Sequence, residues 1–403
     1  MQVDERPAGL YASVIAQTNA ISSASGRGPL ARAALRAADF LFVLRPLILV
    51  PAWAFYSLGA HSHTVSRAVE HTAVIQSAFW CLSALLACAY VLNQIFDLES
   101  DRLNGKGLFL TRRVFRPRTM LFIALACFIV SSLLYHNAHN VQRIPLVAAL
   151  LLSLIYSLPP LRLCARPWWD LAANAIGYGG LAFVIGNGAL SNDVMPAILA
   201  AVPWVLLVAG TFLHTTILDV EGDAAAGKHT TTVVFGERRS ALLSLGFGAA
   251  AFVLSVAPKL RGLKGASWLA AIVTGGALIA FAYAYHRLSR ARELSVAERY
   301  AVRARTSSYA VQVPTALVAV AAAWKDPWFL ILALPLVAFA YVYNHARFKA
   351  SYPGWPSLPQ TTSLRPASNQ PGPRTPEILP LMAEAQLRDI SPARAHSMTS
   401  EAE

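Results

Sequence analysis

Charge is scarce in this chain. Of its 403 residues only 14% are Asp, Glu, Lys or Arg, where a soluble domain carries about 25%, so an ordinary solvent-facing surface is excluded. Cysteine is scarcer still: Cys81, Cys88, Cys127 and Cys164, the first three inside apolar runs and none in a Cys-x-x-Cys pair. Neither a disulfide framework nor a cysteine-based zinc site is supported. Acidic residues are outnumbered 21 to 34 by basic ones, for a formal net charge of +13. The basic residues sit in short connections between apolar runs, not in one continuous stripe, which argues against nucleic acid as a partner. Residues 1–30 also lack the compact apolar centre of a signal peptide, and the first long apolar run begins near Phe40.

What the chain has is apolar sequence, 56% of all residues, in blocks of roughly twenty. At 1.5 Å per residue such a block crosses a hydrocarbon core of about 30 Å. The blocks predict ten spans, at 38–60, 74–96, 119–136, 144–158, 171–189, 196–218, 240–257, 266–286, 308–324 and 327–343. The last two are parted only by Lys325-Asp326-Pro327, so one broken helix would bring the count to nine. The expected fold is therefore all-α, a polytopic membrane bundle of nine to ten helices.

Charge asymmetry orients the bundle. One set of alternate connections carries Arg32 and Arg36, the run from Arg102 to Arg118, Arg162 and Arg166, Lys228, Arg238 and Arg239, and the cluster from Arg290 to Arg305. The opposite set offers little beyond Arg67, Arg143, Lys259, Arg261, Lys264 and Lys325. Under the positive-inside rule the first set, both termini and any site at that end are cytoplasmic. Residues 37–345 form the expected membrane domain. It is flanked by an N-terminal arm over 1–36 and a Pro/Ser-rich tail over 346–403, both with too little periodic apolar surface to order.

Two groups of acidic residues interrupt this apolar background. Asn93, Asp97 and Asp101 recur at i, i+4 and i+8, and so share one helix face; Asp219 and Asp223 repeat the i, i+4 spacing at the end of a later span. An ionised side chain at the centre of a membrane helix costs about 2.5–3.5 kcal/mol on insertion scales, so carboxylates at spans need partners. Hard oxygen donors without Cys or clustered His suit Mg²⁺, which shares its coordination with substrate phosphates. For either motif alone, a solvated helix end is an equally good explanation. The recurrence of the pattern in both halves, as in a parallel internal repeat, is harder to explain that way.

The pattern Asn-x-x-x-Asp-x-x-x-Asp, followed later by Asp219-Val220-Glu221-Gly222-Asp223-Ala224-Ala225-Ala226-Gly227-Lys228-His229-Thr230, resembles the UbiA superfamily of intramembrane prenyltransferases. Arg45-Pro46 in the first span and Tyr156-Ser157-Leu158-Pro159-Pro160-Leu161-Arg162 after the fourth extend the resemblance over about residues 38–290. It implies helices ringing a central cavity, with Asn93, Asp97, Asp101, Asp219 and Asp223 holding two Mg²⁺ ions. It also implies prenyl diphosphate as donor, an apolar tunnel open to membrane lipid, and an acceptor that is a hydroxylated benzoate or homogentisate-like ring, a naphthoate, a tetrapyrrole propionate, or a glycerol or sugar phosphate, with a small aromatic acceptor the first expectation.

Arg45, Lys106, Arg162 and Lys228 are the candidate contacts for diphosphate or an anionic acceptor, since Arg grips phosphate or carboxylate bidentately and Lys acts as a point charge. Asn174 and Tyr156 are further substrate-binding candidates, although helix packing and interfacial anchoring account for them equally well. Glu99 and Glu221 fall off the shared aspartate face, and His214 reads as a packing residue. One departure from the family stands out: Asn104-Gly105-Lys106-Gly107 replaces the usual Asn-x-Pro-x-Arg-Pro stretch. Two other readings are open, a membrane terpene cyclase using the same ionisation, and a transporter or lipid-binding scaffold with intramembrane carboxylates.

Overall fold

The computed structural model describes residues 28–62, 76–106, 108–260, 268–291 and 294–348. All regular structure among them is helical: α1 (Pro29–Phe42), α2 (Pro46–Ala60), α3 (Ser77–Phe96), α4 (Leu98–Leu103), α5 (Leu108–Thr111), α6 (Pro117–Tyr135) and α7 (Asn140–Ser157). After a short turn come α8, which runs Trp169–Asn174, continues through a π-helical stretch Ala175–Ala182 and ends at Phe183–Asn187, and α9 (Val194–Ala225). The chain closes with α10 (Thr231–Phe235), α11 (Glu237–Leu260), α12 (Trp268–Arg290), α13 (Val296–Lys325) and α14 (Trp328–Phe348).

Seven of these helices are long and apolar enough to cross a membrane, and α2 and α14 are shorter apolar helices. With the segmented α8, each of the ten expected spans contains helix. The protein is an integral multi-pass membrane protein. Its large outward-facing apolar side chains, such as Phe122, Leu133, Ile272 and Ile279, stay exposed because lipid, not protein, is their partner.

The structure corrects the sequence reading in two places. The first expected span is two helices, because the backbone turns at Arg45 (φ 53°) between α1 and α2. Helix also begins at Pro29, inside the stretch assigned to the N-terminal arm; Pro at the first helical position suits a helix start. The remainder of that arm, and the tail beyond Phe348, lie outside the described residues. The last two spans are separate helices, parted at Asp326-Pro327, and the first is longer than its apolar block.

Packing closes the bundle. α2 lies against the end of α8, α8 against α9, α9 against α11, α11 against α12, α12 against α13, and α13 returns to α2, while α3 packs on α6 and α7. Asp39 on α1 is buried and accepts hydrogen bonds from Tyr343 (2.6 Å) and Arg347 (2.9 Å) on α14, tying the first described helix to the last.

Candidate active site

Each aspartate motif is placed by the way its helix ends. α3 stops at Phe96, Asp97 steps out of helical geometry, and α4 resumes at Leu98. The i→i−4 bonds nonetheless continue, Asp97 N–H to Asn93 O and Asp101 N–H to Asp97 O, both 2.8 Å, so the three motif residues keep one face. Asp219 and Asp223 sit in the last turns of α9. With 32 residues this helix is about 48 Å long, so its end projects past a hydrocarbon core of about 30 Å.

Both helices then terminate in the same device. At Asn104-Gly105-Lys106, the Lys106 N–H bonds to Asp101 O and the Gly105 N–H to Arg102 O; at Ala226-Gly227-Lys228, Lys228 N–H bonds to Asp223 O and Gly227 N–H to Ala224 O. Gly105 (φ 66°) and Gly227 (φ 71°) take the left-handed position that this Schellman cap requires. The cap folds each lysine back over its own helix end.

The lysines then cross over. Lys106, which follows the first motif, pairs with Asp219 of the second; Lys228, which follows the second, pairs with Asp97 of the first at 3.0 Å and with Asp223 at 3.7 Å. Asn104 makes this approach possible by packing on Gly222, where any Cβ would fall 2.2 Å from its side-chain oxygen.

Two arginines complete the charge balance. Arg45 reaches Asp101 at 3.4 Å, and Arg162 donates to Asp97 Oδ1 at 3.1 Å and to Phe96 O at 2.8 Å. Both are non-glycine residues with left-handed backbone, φ 53° and 42°, a conformation that costs of order 1–3 kcal/mol and gathers at functional sites. Asn93 donates to Asp97 Oδ2 at 2.7 Å. All four aspartates, Asn93 and the four candidate cations therefore converge at one end of the bundle. Tyr156 and Asn174 stand to one side, hydrogen-bonded to each other at 2.9 Å.

Electrostatics follow from burial. Burial raises the Asp101 carboxyl above the usual carboxylate range, against the opposing charges of Arg45 and Lys106. Burial works to lower the Lys228 ammonium, but Asp97 and Asp223 outweigh it and hold the group above its ordinary value, so Lys228 stays charged. Cys164 lies 3.9 Å from Asp97, and burial, then that carboxylate, pushes its thiol up to about 12.

The donor set of hard oxygens fits Mg²⁺. Among the described residues no three His, Cys, Asp or Glu side chains gather into a ready-made metal cluster; each aspartate is held by a Lys or Arg instead.

Several supporting residues were missed in the sequence. Asp170, fully buried, accepts from the Thr231 N–H (2.9 Å) and its hydroxyl, fixing the segment that carries Lys228. Arg303 on α13, also buried, bridges Glu221 (3.0 Å) and Glu237 (2.7 Å), gripping the helical turn that lies between Asp219 and Asp223. Their signal was present as charged residues at spans, but their partners are 61 to 82 positions away in sequence. His214 packs as expected, buried and stacked on Phe281. We expect Arg303→Met to lower turnover roughly 10-fold, less than the roughly 10²-fold that a 1 Å misplacement can cost because Arg303 holds the turn and not the aspartates themselves, with Arg303→Lys recovering part of the loss. Steady-state rates of the two variants check this.

The sequence profile of the UbiA prenyltransferase family matches residues 48–305. Over 236 residues the chain is 30% identical to the digeranylgeranylglyceryl phosphate synthase of Halobacterium salinarum, covering 57% of this chain and 81% of that protein. It is 24% identical over 204 residues to the 1,4-dihydroxy-2-naphthoate octaprenyltransferase of Bacillus subtilis, covering 47% and 65%. Its fold matches that of a UbiA homologue from Archaeoglobus fulgidus solved with DMAPP and Mg²⁺, with a TM-score of 0.52 and 21% identity over 70% of this chain and 99% of that one. The chain belongs to the UbiA prenyltransferase family and is a membrane prenyltransferase.

Proposed function

We propose that the chain is Mg²⁺-dependent and moves an isoprenyl group from a prenyl diphosphate to a small anionic acceptor, aromatic in the first instance. One observation carries this reading: four aspartates and four cations are interleaved at the end of the bundle, with the lysines crossing between motifs. That balance is suited to exchange. An arriving diphosphate takes Arg45, Lys106 and Lys228 as partners and leaves the carboxylates free for metal. Mg²⁺, when held by Asn93, Asp97, Asp101, Asp219 and Asp223, would neutralise charge on the departing diphosphate.

The chain's own cations share that task. As the allylic C–O bond breaks, its electron pair leaves with the diphosphate, where the two lysines and Arg45 stabilise the growing charge. The allylic cation is then captured by the acceptor's electron pair, and the acceptor loses a proton. No residue needs to bond covalently to the substrate. The capped ends of α4 and α9 lie beside the apolar bundle, so the isoprenoid tail has apolar surface within reach of the cage.

Arg162 is the acceptor contact in this reading. Its Nε is buried without a hydrogen-bond partner among the described residues, so the guanidinium has a donor to spare. The naphthoate enzyme supports an aromatic carboxylate as its partner. The higher identity to the glyceryl phosphate synthase favours a second reading, in which the acceptor anion is a phosphate. Arg162→Ala is expected to raise the apparent KM for the acceptor about 10-fold, one charge-assisted hydrogen bond's worth, and for the donor less. Equal, negligible changes in both constants would make Arg162 a topology residue.

The test of the whole reading is diphosphate release by purified protein from geranyl to geranylgeranyl diphosphates. Each donor is given with and without Mg²⁺, and with 1,4-dihydroxy-2-naphthoate, a prenylglyceryl phosphate, or no acceptor. Release that requires both Mg²⁺ and an acceptor is the expected result. Acceptor-independent release with a new hydrocarbon or alcohol would mean a cyclase, and no release under any condition would favour a transporter or scaffold.

A further inference from the structure

Away from the aspartates, an apolar groove of about 580 Å³ opens between α9 and α11. Leu206, Leu242 and Phe247 form its walls, Trp168 and Phe235 its rim, and Arg239 is its one charged lining residue. None of these side chains belongs to the diphosphate cage. We propose that the groove binds an anionic phospholipid, one acyl chain along the apolar walls and the phosphodiester on Arg239.

Four observations bear on the occupant. Arg239 stands in the first turns of α11, at the end of the bundle where the cage lies, which is headgroup depth for a helix that crosses the membrane. It is exposed and makes no ion pair among the described residues. With no carboxylate in the lining, the groove carries a net positive charge, which complements a phosphodiester. A diphosphate fits less well, because its higher charge calls for several cations or a metal, and the groove has one arginine and no metal-ligand set.

The rim is built rather than incidental. Trp168 holds a left-handed backbone (φ 69°), which bulky side chains rarely adopt. Its N–H donates to Thr231 Oγ1 at 2.8 Å and its ring meets Phe235 edge-on at 5.1 Å. This fixes the indole at the groove mouth, where an amphipathic ring suits the membrane interface. Gly246 also lines the groove, and a Cβ added there meets nothing within 4 Å, so a larger side chain at this position has open space to enter.

That open space at Gly246 supplies the test, which needs no turnover and so stands apart from the proposed reaction. The full chain is reconstituted in phosphatidylcholine nanodiscs containing a trace of phosphatidylglycerol with a diazirine on its acyl chain, irradiated, digested and mapped by mass spectrometry. Labelling is expected to concentrate on the peptide spanning Leu242–Ala250 and to fall at least fivefold in Gly246→Phe, whose ring fills the groove. It should fall similarly in Arg239→Gln, an exposed substitution that leaves the walls intact. A diazirine phosphatidylcholine should label the same peptide no more than it labels α6. Uniform labelling of α6 and α11, or unchanged labelling in both variants, would overturn the proposal. Protection by geranylgeranyl diphosphate would overturn it too, by assigning the groove to the prenyl substrate.

Discussion

Asp97→Asn is expected to cut turnover by at least roughly 10²–10³-fold, the loss seen when one preorganised electrostatic group is removed from an active site, while the chain remains folded and inserted. Asp97 is the hub of the cage, receiving Lys228 at 3.0 Å, Arg162 at 3.1 Å and Asn93 at 2.7 Å. The amide keeps the shape and removes the charge, so metal and cations lose their common partner. Breaking a buried pair outright costs about 3–5 kcal/mol. Here the loss is smaller, since Lys228 retains Asp223 and Arg162 retains the Phe96 carbonyl. Asp219→Asn removes the equivalent charge from the other motif and frees only Lys106. Diphosphate release across a Mg²⁺ titration, with size-exclusion profiles as a folding control, checks both variants. Undiminished turnover in the pair would sink the assignment of these aspartates to metal and diphosphate.

Each motif was legible because it rests on local rules, whereas their convergence was implied only by the family resemblance. The i, i+4 spacing fixes a helix face, and carboxylates at the ends of apolar spans need cations, so Asn93, Asp97, Asp101, Asp219 and Asp223 follow from the sequence. The spans follow from length and hydropathy alone. The break at Arg45 does not: the apolar run continues through Phe42-Val43-Leu44, and Pro46 serves equally to start a helix or to kink one. Tertiary partners were out of reach for a different reason. The spacing puts Glu221 off the aspartate face, but nothing local says that Arg303 on α13 meets it. One local signal was available and went unread. Asp101-Arg102-Leu103-Asn104-Gly105-Lys106 and Asp223-Ala224-Ala225-Ala226-Gly227-Lys228 share Asp-x-x-x-Gly-Lys, which encodes the same helix cap twice and places a lysine over each motif. That shared cap also gives Lys106 a defined place in a loop whose sequence departs from the family.

Lys228→Met should be the more damaging of the two lysine substitutions, even though the caps are alike. Lys228 is buried and lies between Asp97 and Asp223, whereas the Lys106 side chain is 28% exposed and pairs with Asp219 alone. Methionine at 228 takes the ammonium from Asp223, while Asp97 retains Arg162 and Asn93, so the destabilisation stays below the figure of about 3–5 kcal/mol for a buried pair broken outright. Turnover should fall roughly 10²–10³-fold, because the departing diphosphate loses a fixed ammonium. Lys106→Met should cost about 10-fold, since a partly solvated cation contributes less. The Asp223 carboxylate released in Lys228→Met is also free to take a divalent ion. Mg²⁺ should therefore raise the thermal midpoint of this variant more than that of the wild type, where lysine and metal compete for the same oxygens. Rate measurements on both variants, and thermal denaturation in detergent with and without Mg²⁺, separate the two effects. Wild-type turnover in Lys228→Met, with no added stabilisation by Mg²⁺, would reduce the residue to a structural tie between α3 and α9.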